Sequence, residues 1–360
     1  MTKTSPAAAL PPARRLALVP AALLALAAGN AAACATCGCS LSTDAATGYP
    51  TRPGWNVSLQ VDFIDQSQLR HGSKAISTGD VAAINDAGGD QEVEHDTVNR
   101  YTTLGIGWMP SEDWGLRLLV PWVDRGHSTY ASASNPLTDD QLSTARIKGL
   151  GDVRLMVTWQ GLLADHNLGL QVGLKLPTGR YGGANADGTG VVGRKPATFQ
   201  HGPLSTNNSP DNLVDTSLQP GTGSTDIIVG AYWHQPVGMS VEAFASAQFQ
   251  AAIAERLHGA GQDFRVGNTT FVSFGARWQA TPTVVPQLQV NVSHKGADQG
   301  ALADNPDSEG TVVYVSPGVT ATLGDHWQGF GFVQLPVASH LVGYQLAPRW
   351  TASAGISYAF

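Results

Sequence analysis

The chain has 360 residues, a formal net charge of −7, a mean hydropathy of −0.08 and 14% charged residues, where an ordinary soluble domain carries about 25%. The hydropathy excludes a bundle of apolar membrane helices, and the acidic balance gives no basis for nucleic-acid binding. With 41 glycines and apolar residues dispersed along its length, the composition favours one large all-β unit, because barrels run long as single domains.

The first element is a secretory signal peptide over residues 1–33. Lys3, Arg14 and Arg15 supply a positive start, "LALVPAALLALAA" an apolar stretch, and Ala31-Ala32-Ala33 a small-residue cleavage site. Residues 34–53 form a cysteine-containing periplasmic segment, and the remainder, 54–360, is expected to be the barrel. All three cysteines, Cys34, Cys37 and Cys39, stand in "CATCGCS", and three chemistries fit them. Lipidation of Cys34 would anchor the segment, although Ala31-Ala32-Ala33 lacks the Leu usual three residues before such a cysteine. A disulfide leaves one thiol over, and thiolates at C-x-x-C-x-C suit Cu(I) or Zn(II). Lipidated Cys34 would leave Cys37 and Cys39 as a close redox pair. Gly38 in place of His excludes a c-type haem site, and no cofactor is expected.

From Gly54 onward the sequence alternates with period two, the mark of half-buried strands. "GWNVSLQVDFI" sets Trp55, Val57, Leu59, Val61 and Phe63 against Asn56, Ser58, Gln60 and Asp62. Further segments begin at Tyr101, Trp114, Gly151, Asn167, Thr225, Ser240, Thr270, Pro286, Thr311, His326 and Arg349, which makes about twelve strands. Each is close to the ~9–11 residues that a tilted strand needs to cross a bilayer. In the segment at Trp327 either parity could face outward. Tight turns ("PSED", "LADH", "QPVG", "ATPT", "GD") alternate with long polar loops over Asp65–Asn99, Asp124–Leu150, Pro177–Ser224, Ala251–Asn268 and Gly296–Gly310. That asymmetry predicts an all-β transmembrane antiparallel barrel with short periplasmic turns and long extracellular loops.

If the apolar faces meet outer-membrane lipid, the opposite faces line a polar lumen. There Arg117, Arg154, Lys175 and Arg277 outnumber Asp62 and Glu242, so small anions or neutral solutes are the expected cargo of a narrow pore. Trp55, Trp108, Trp122, Trp159, Trp233, Trp278 and Trp350 fall near strand ends, as an interfacial girdle requires. In the closing run "RWTASAGISYAF", every second residue is apolar, through Tyr358 to Phe360. The run resembles the C-terminal signature read by the barrel-assembly machinery of Gram-negative bacteria. The acidic stretch Asp86 to Asp96, "DAGGDQEVEHD", offers oxygen ligands of a calcium-friendly kind; its alternative role is a solvated loop meeting lipopolysaccharide and its loosely held divalent cations.

"VDFIDQSQ" at Val61–Gln68, "GLGDVRL" at Gly149–Leu155, "LKLPTGRY" at Leu174–Tyr181, "LQPGTGSTDIIVGAYW" at Leu218–Trp233 and the closing "QLPVASHLVGYQLAPRWTASAGISYAF" follow one another in a distinctive order. Over roughly three hundred residues they resemble the outer-membrane transporter family associated with the meta-pathway of phenol degradation. That family is distantly similar to fatty-acid and aromatic-hydrocarbon channels. The resemblance implies a barrel that admits hydrophobic or aromatic small molecules, and it transfers no site residues.

No enzyme is expected. The sequence holds no G-x-S-x-G or H-E-x-x-H, and His127-Ser128 are neighbours that a strand points to opposite sides. The competing function is a non-conducting scaffold, or a metal- or redox-responsive protein acting through the cysteine cluster.

Overall fold

The computed structural model describes residues 53–206, 212–279 and 281–360. The signal-peptide and cysteine readings, including Cys34, Cys37 and Cys39, lie outside these residues. Twelve strands build the wall: β1 (Gly54–Gln66), β2 (Glu94–Met109), β3 (Trp114–Thr129), β4 (Val153–Trp159), β5 (Leu168–Leu176) and β6 (Ser224–Val237), followed by β7 (Val241–Glu255), β8 (Thr269–Trp278), β9 (Val284–Lys295), β10 (Gly310–Thr322), β11 (Trp327–Ala347) and β12 (Trp350–Ala359). Each is antiparallel to the next, and β12 returns to β1 over Asn56↔Ala359 to Asp65↔Trp350. The sheet therefore closes into a barrel, and all twelve segments read from the sequence are strands of its wall.

The side-chain distribution is inverted relative to a water-soluble protein. On β1, Val57, Leu59 and Val61 are 37%, 46% and 47% exposed, whereas Ser58, Gln60 and Asp62 between them are 3%, 4% and 0% exposed. Apolar side chains face outward and polar ones inward, as lipid outside and a lumen inside require. All nine Trp of the chain lie on wall strands. Trp55 stacks on Trp108 at 5.6 Å and Trp114 meets Trp159 at 6.3 Å, forming part of a belt at the end that carries the short turns. Trp350 pairs with Phe63 at 4.9 Å near the other end.

The loops differ from expectation in two respects. Strand pairing runs into stretches expected to be loop, with β2 starting at Glu94, β3 reaching Thr129 and β7 reaching Glu255, so the wall rises beyond the bilayer. The last outer connection is also tight, with only Pro348 and Arg349 between β11 and β12. The outer part of β11 instead pairs with the Gln68–Gly72 strand of the first loop. Within that loop the Thr78–Asp86 helix is capped by Ser77 and buries Val81 and Ala82 against Leu69, Val93 and Leu346. This packing returns the acidic stretch to the wall.

The orientation of β11 is now fixed. Trp327, Val333, Leu335 and Val337 are exposed to the outside, while Phe330, Phe332 and Gln334 are buried inside. A register shift opposite Val313/Tyr314 leaves Val337 as an extra residue, at Pro336, which has no N–H for the ladder. Beyond it the parity flips, and Leu341 is buried where Val342 is exposed.

Leu59, opposite Leu104 and Ile356 on the outer face, tests this inversion. Leu59→Arg is expected to destabilise the lipid-embedded barrel by about 2–4 kcal/mol, measured by urea unfolding in vesicles. An effect within about 0.5 kcal/mol, the usual result on a water-facing surface, would contradict it.

Candidate functional site: the lumen and its outer mouth

Three stretches distant in sequence meet at the outer rim. Above Val153 the wall continues as the Ser143–Leu150 strand along the outer half of β3, and Gly151-Asp152 forms the break between them. The Asp152 carboxylate accepts the backbone N–H groups of Gly179 at 3.0 Å and Thr222 at 2.9 Å, which pins both ends of the longest loop, 177–223. The Thr178 hydroxyl donates to the Gly151 carbonyl at 2.7 Å and accepts from the Val153 N–H at 2.9 Å. Lys175 Nζ lies 2.9 Å from Asp226 and 3.3 Å from Asp152, with all three side chains buried. Gly179 and Gly221 touch backbone to backbone, and a Cβ on Gly179 would stand 2.7 Å from Gly221 Cα. The stretches Gly149–Leu155, Leu174–Tyr181 and Leu218–Trp233 thus converge on one buried junction that roots the loop.

The junction changes the charge balance of the lumen. Lys175 is neutralised there, and Arg277 Nη1 is held 2.6 Å from Glu242 while its guanidinium lies over the Phe244 ring at 4.6 Å. Arg117 donates to Ser58 Oγ at 3.2 Å, and Arg154, on the inner face of β4, has no ion pair among the described residues. The sequence count omitted Asp152 and Asp226. Strict parity along β6 would have found Asp226 on the same face as Tyr232 and His234. Two of the four inward cations are therefore held in ion pairs, and Asp152 and Asp226 offset the basic excess expected of the lumen.

Also missed was an apolar belt inside the barrel. Met156, Tyr232, Phe244, Phe330 and Phe332 are all buried and stand three to five residues from the strand ends that carry the short turns. Each faces a glycine directly across the ladder: Gly173, Gly169, Gly275, Gly355 and Gly318 respectively. A Cβ on any of these glycines would run into the opposing side chain. The rings therefore lie along the wall instead of across the lumen.

At the outer mouth, Glu92, Glu94, Asp215, Asp304 and Asp307 line a cavity of about 40 Å³ together with Gln345. Desolvation inside the mouth, followed by the charges of Asp307 and Glu92, pushes Asp304 up to about 7. Desolvation also raises Asp215 and Asp307 above the usual carboxylate range. His127 Nε2 stands 3.8 Å from Glu92. Nearby, Ser128 meets both His95 and Asp96. A catalytic relay divides the two ring nitrogens between serine and carboxylate, but His95 presents Nδ1 to both.

No family model matches the chain, and no curated protein matches it. Among solved structures, an outer membrane channel from Pseudomonas putida F1 aligns over 89% of this chain and 100% of its own, with a TM-score of 0.60 at 11% identity. A Pseudomonas aeruginosa FadL homologue (88% and 96% coverage, 10% identity, TM-score 0.41) and the toluene transporter of Ralstonia pickettii (86% and 90%, 9%, 0.40) are looser likenesses. Of these three, the first carries the fold assignment. The closed barrel with its outward apolar face makes this chain a bacterial outer-membrane β-barrel protein. The particular architecture it shares is that of the P. putida channel.

Lys175→Met would leave two buried carboxylates without their cation. The expected loss is about 3–5 kcal/mol in urea unfolding of the folded barrel, whereas Arg154→Met, with no pair to break, should stay within about 0.5 kcal/mol.

Proposed function

We propose that the barrel is a passive outer-membrane channel for small solutes that carry an aromatic or other apolar part. The observation that carries this reading is the lumen belt. Five buried apolar side chains stand at one level of the interior near the short turns, each packed against a glycine across the ladder, which gives that level an apolar lining. Eight-stranded barrels are filled by their own side chains and barrels of sixteen or more hold wide aqueous channels, so twelve strands suit a narrow path. The resemblance to the phenol-degradation transporter family supports the same solute class, and the P. putida barrel of the same architecture is itself described as an outer membrane channel. Catalysis plays no part in this reading, and the outward Tyr358 and Phe360 on and after β12 serve as the signal to the barrel-assembly machinery. Ion preference rests chiefly on Arg154, an inward cation with no ion pair among the described residues, and weakly favours anions.

Single-channel recording of the refolded barrel in a planar bilayer tests the proposal. Steady conductance is expected, reduced by phenol in a concentration-dependent way and much less by cyclohexanol. Aromatic contacts contribute about 0.5–1.5 kcal/mol, so replacing both Phe330 and Phe332 by Ala should weaken the phenol block by roughly 2–10-fold. Arg154→Glu should move the reversal potential in a salt gradient toward cations. Absence of conductance from folded barrels would overturn the channel reading, and equal block in the double variant would overturn the role of the belt.

A further inference from the structure

The acidic stretch after the first-loop helix has a use that solute passage does not explain. Glu92 and Glu94 come from that stretch, Asp215 from the loop 177–223, and Asp304 and Asp307 from the loop 296–309, so three extracellular loops place carboxylates around one cavity. Among the described residues none of the five pairs with a Lys or Arg. The basic groups facing them are His127 beside Glu92 and His71 on the side of Asp307. Converging negative charge of this kind calls for a positive partner.

Gln345 supplies an independent indication. It is 2% exposed and lines the same cavity. Its Nε2 donates to the carbonyls of Glu309 at 2.7 Å and Val342 at 2.6 Å, which fixes the amide orientation. The oxygen, Oε1, is left buried with no hydrogen-bond partner. Buried acceptors of this kind are rare and costly unless something fills the place of the missing donor. The neighbouring backbone holds the geometry: Leu346 N–H donates to Glu94 at 3.1 Å, Tyr344 N–H donates to Asp307, and Val342 N–H meets the Glu309 carbonyl at 2.9 Å.

We propose that this mouth cavity binds one hard divalent cation of the calcium class, with Gln345 Oε1, Asp304 and Asp307 nearest to it and Glu92, Glu94 and Asp215 supplying the surrounding negative field. The donor set is oxygen only, which suits Ca²⁺ and not the thiolate- or imidazole-seeking metals. A volume of about 40 Å³ has room for an ion and about two waters. Among the described residues no three acidic, imidazole or thiol groups already stand in ligating arrangement about one point, so water completes the coordination shell. The bound ion would tie three loops to β11 and stiffen the mouth.

The test is calorimetric titration of CaCl₂ into the refolded full barrel, freed of lipopolysaccharide and chelator-washed, at constant ionic strength. One saturable site is expected. Asp304→Asn combined with Asp307→Asn should weaken it at least about tenfold, and so should Gln345→Leu, which leaves every charge in place. Asp139→Asn combined with Asp140→Asn, in the loop between β3 and the Ser143–Leu150 strand, should leave it unchanged. Ca²⁺ should also slow proteolysis of the loops in the parent chain and not in the Gln345 variant, with folding of each variant checked by heat-modified mobility. No saturable uptake, uptake untouched by both mouth variants, or an effect reproduced by NaCl would overturn the proposal.

Discussion

A strand edge facing lipid leaves its N–H and C=O groups unpaired at several kcal/mol each, and the pairing of β1 with β12 removes that edge. Much else in the molecule follows from this closure. A closed sheet has one face for lipid and one for the interior, so the period-two alternation has to place Leu59 and Val61 outside and Gln60 and Asp62 inside. The fixed height of the bilayer then sets where Trp55, Trp108, Trp114 and Trp159 can rest their rings. Where the wall rises above the membrane, pairing is no longer compulsory. There the strand between Leu150 and Val153 breaks, and the long loop is rooted by side chains in place of a ladder.

That difference explains how much of the molecule was legible in the sequence. Wall strands are dictated by a local, repeating requirement, so each of the twelve announces itself within its own ten or so residues. The junction at Asp152 obeys no such local rule. Its partners lie at Lys175, Gly179, Thr222 and Asp226, and one sequence contains no statement that these positions touch. The motifs quoted from the sequence did mark the three stretches, but their physical meaning emerges only once they are seen to bond one another. Counting inward charges strand by strand also misleads where an inward cation meets an inward anion from the next strand, as Arg277 does with Glu242.

Parity reasoning left β11 undecided, for a definite physical cause. The rule that apolar residues face lipid assumes a uniformly polar interior, and Phe330 and Phe332 occupy that interior while Gly329 and Gly331 take the outward positions. The bulge at Val337 then reverses the alternation within the same strand. The first departure is made possible by neighbours, since Gly355 and Gly318 vacate the space into which the rings lie, and the second sits at Pro336, which has no N–H for the ladder. The informative signal is thus a cross-strand pair, aromatic opposite glycine, which becomes readable only after register is known.

The polar interior and the acidic mouth solve the charge problem in opposite ways. Deep in the wall each ionic side chain with a counterpart in reach is paired, as at Lys175 and Arg277, because an unpartnered ion away from bulk water is costly. At the mouth, five carboxylates from three loops and the start of β2 share one cavity, and their basic neighbours among the described residues are histidines. Such an arrangement persists when protons, water or a cation offset the repulsion, and desolvation has already moved Asp304 to about 7. Loops carrying this much like charge would otherwise be driven apart. Their assembly over the opening therefore depends on what the surrounding medium supplies, whereas the barrel beneath depends on the closure of its own backbone.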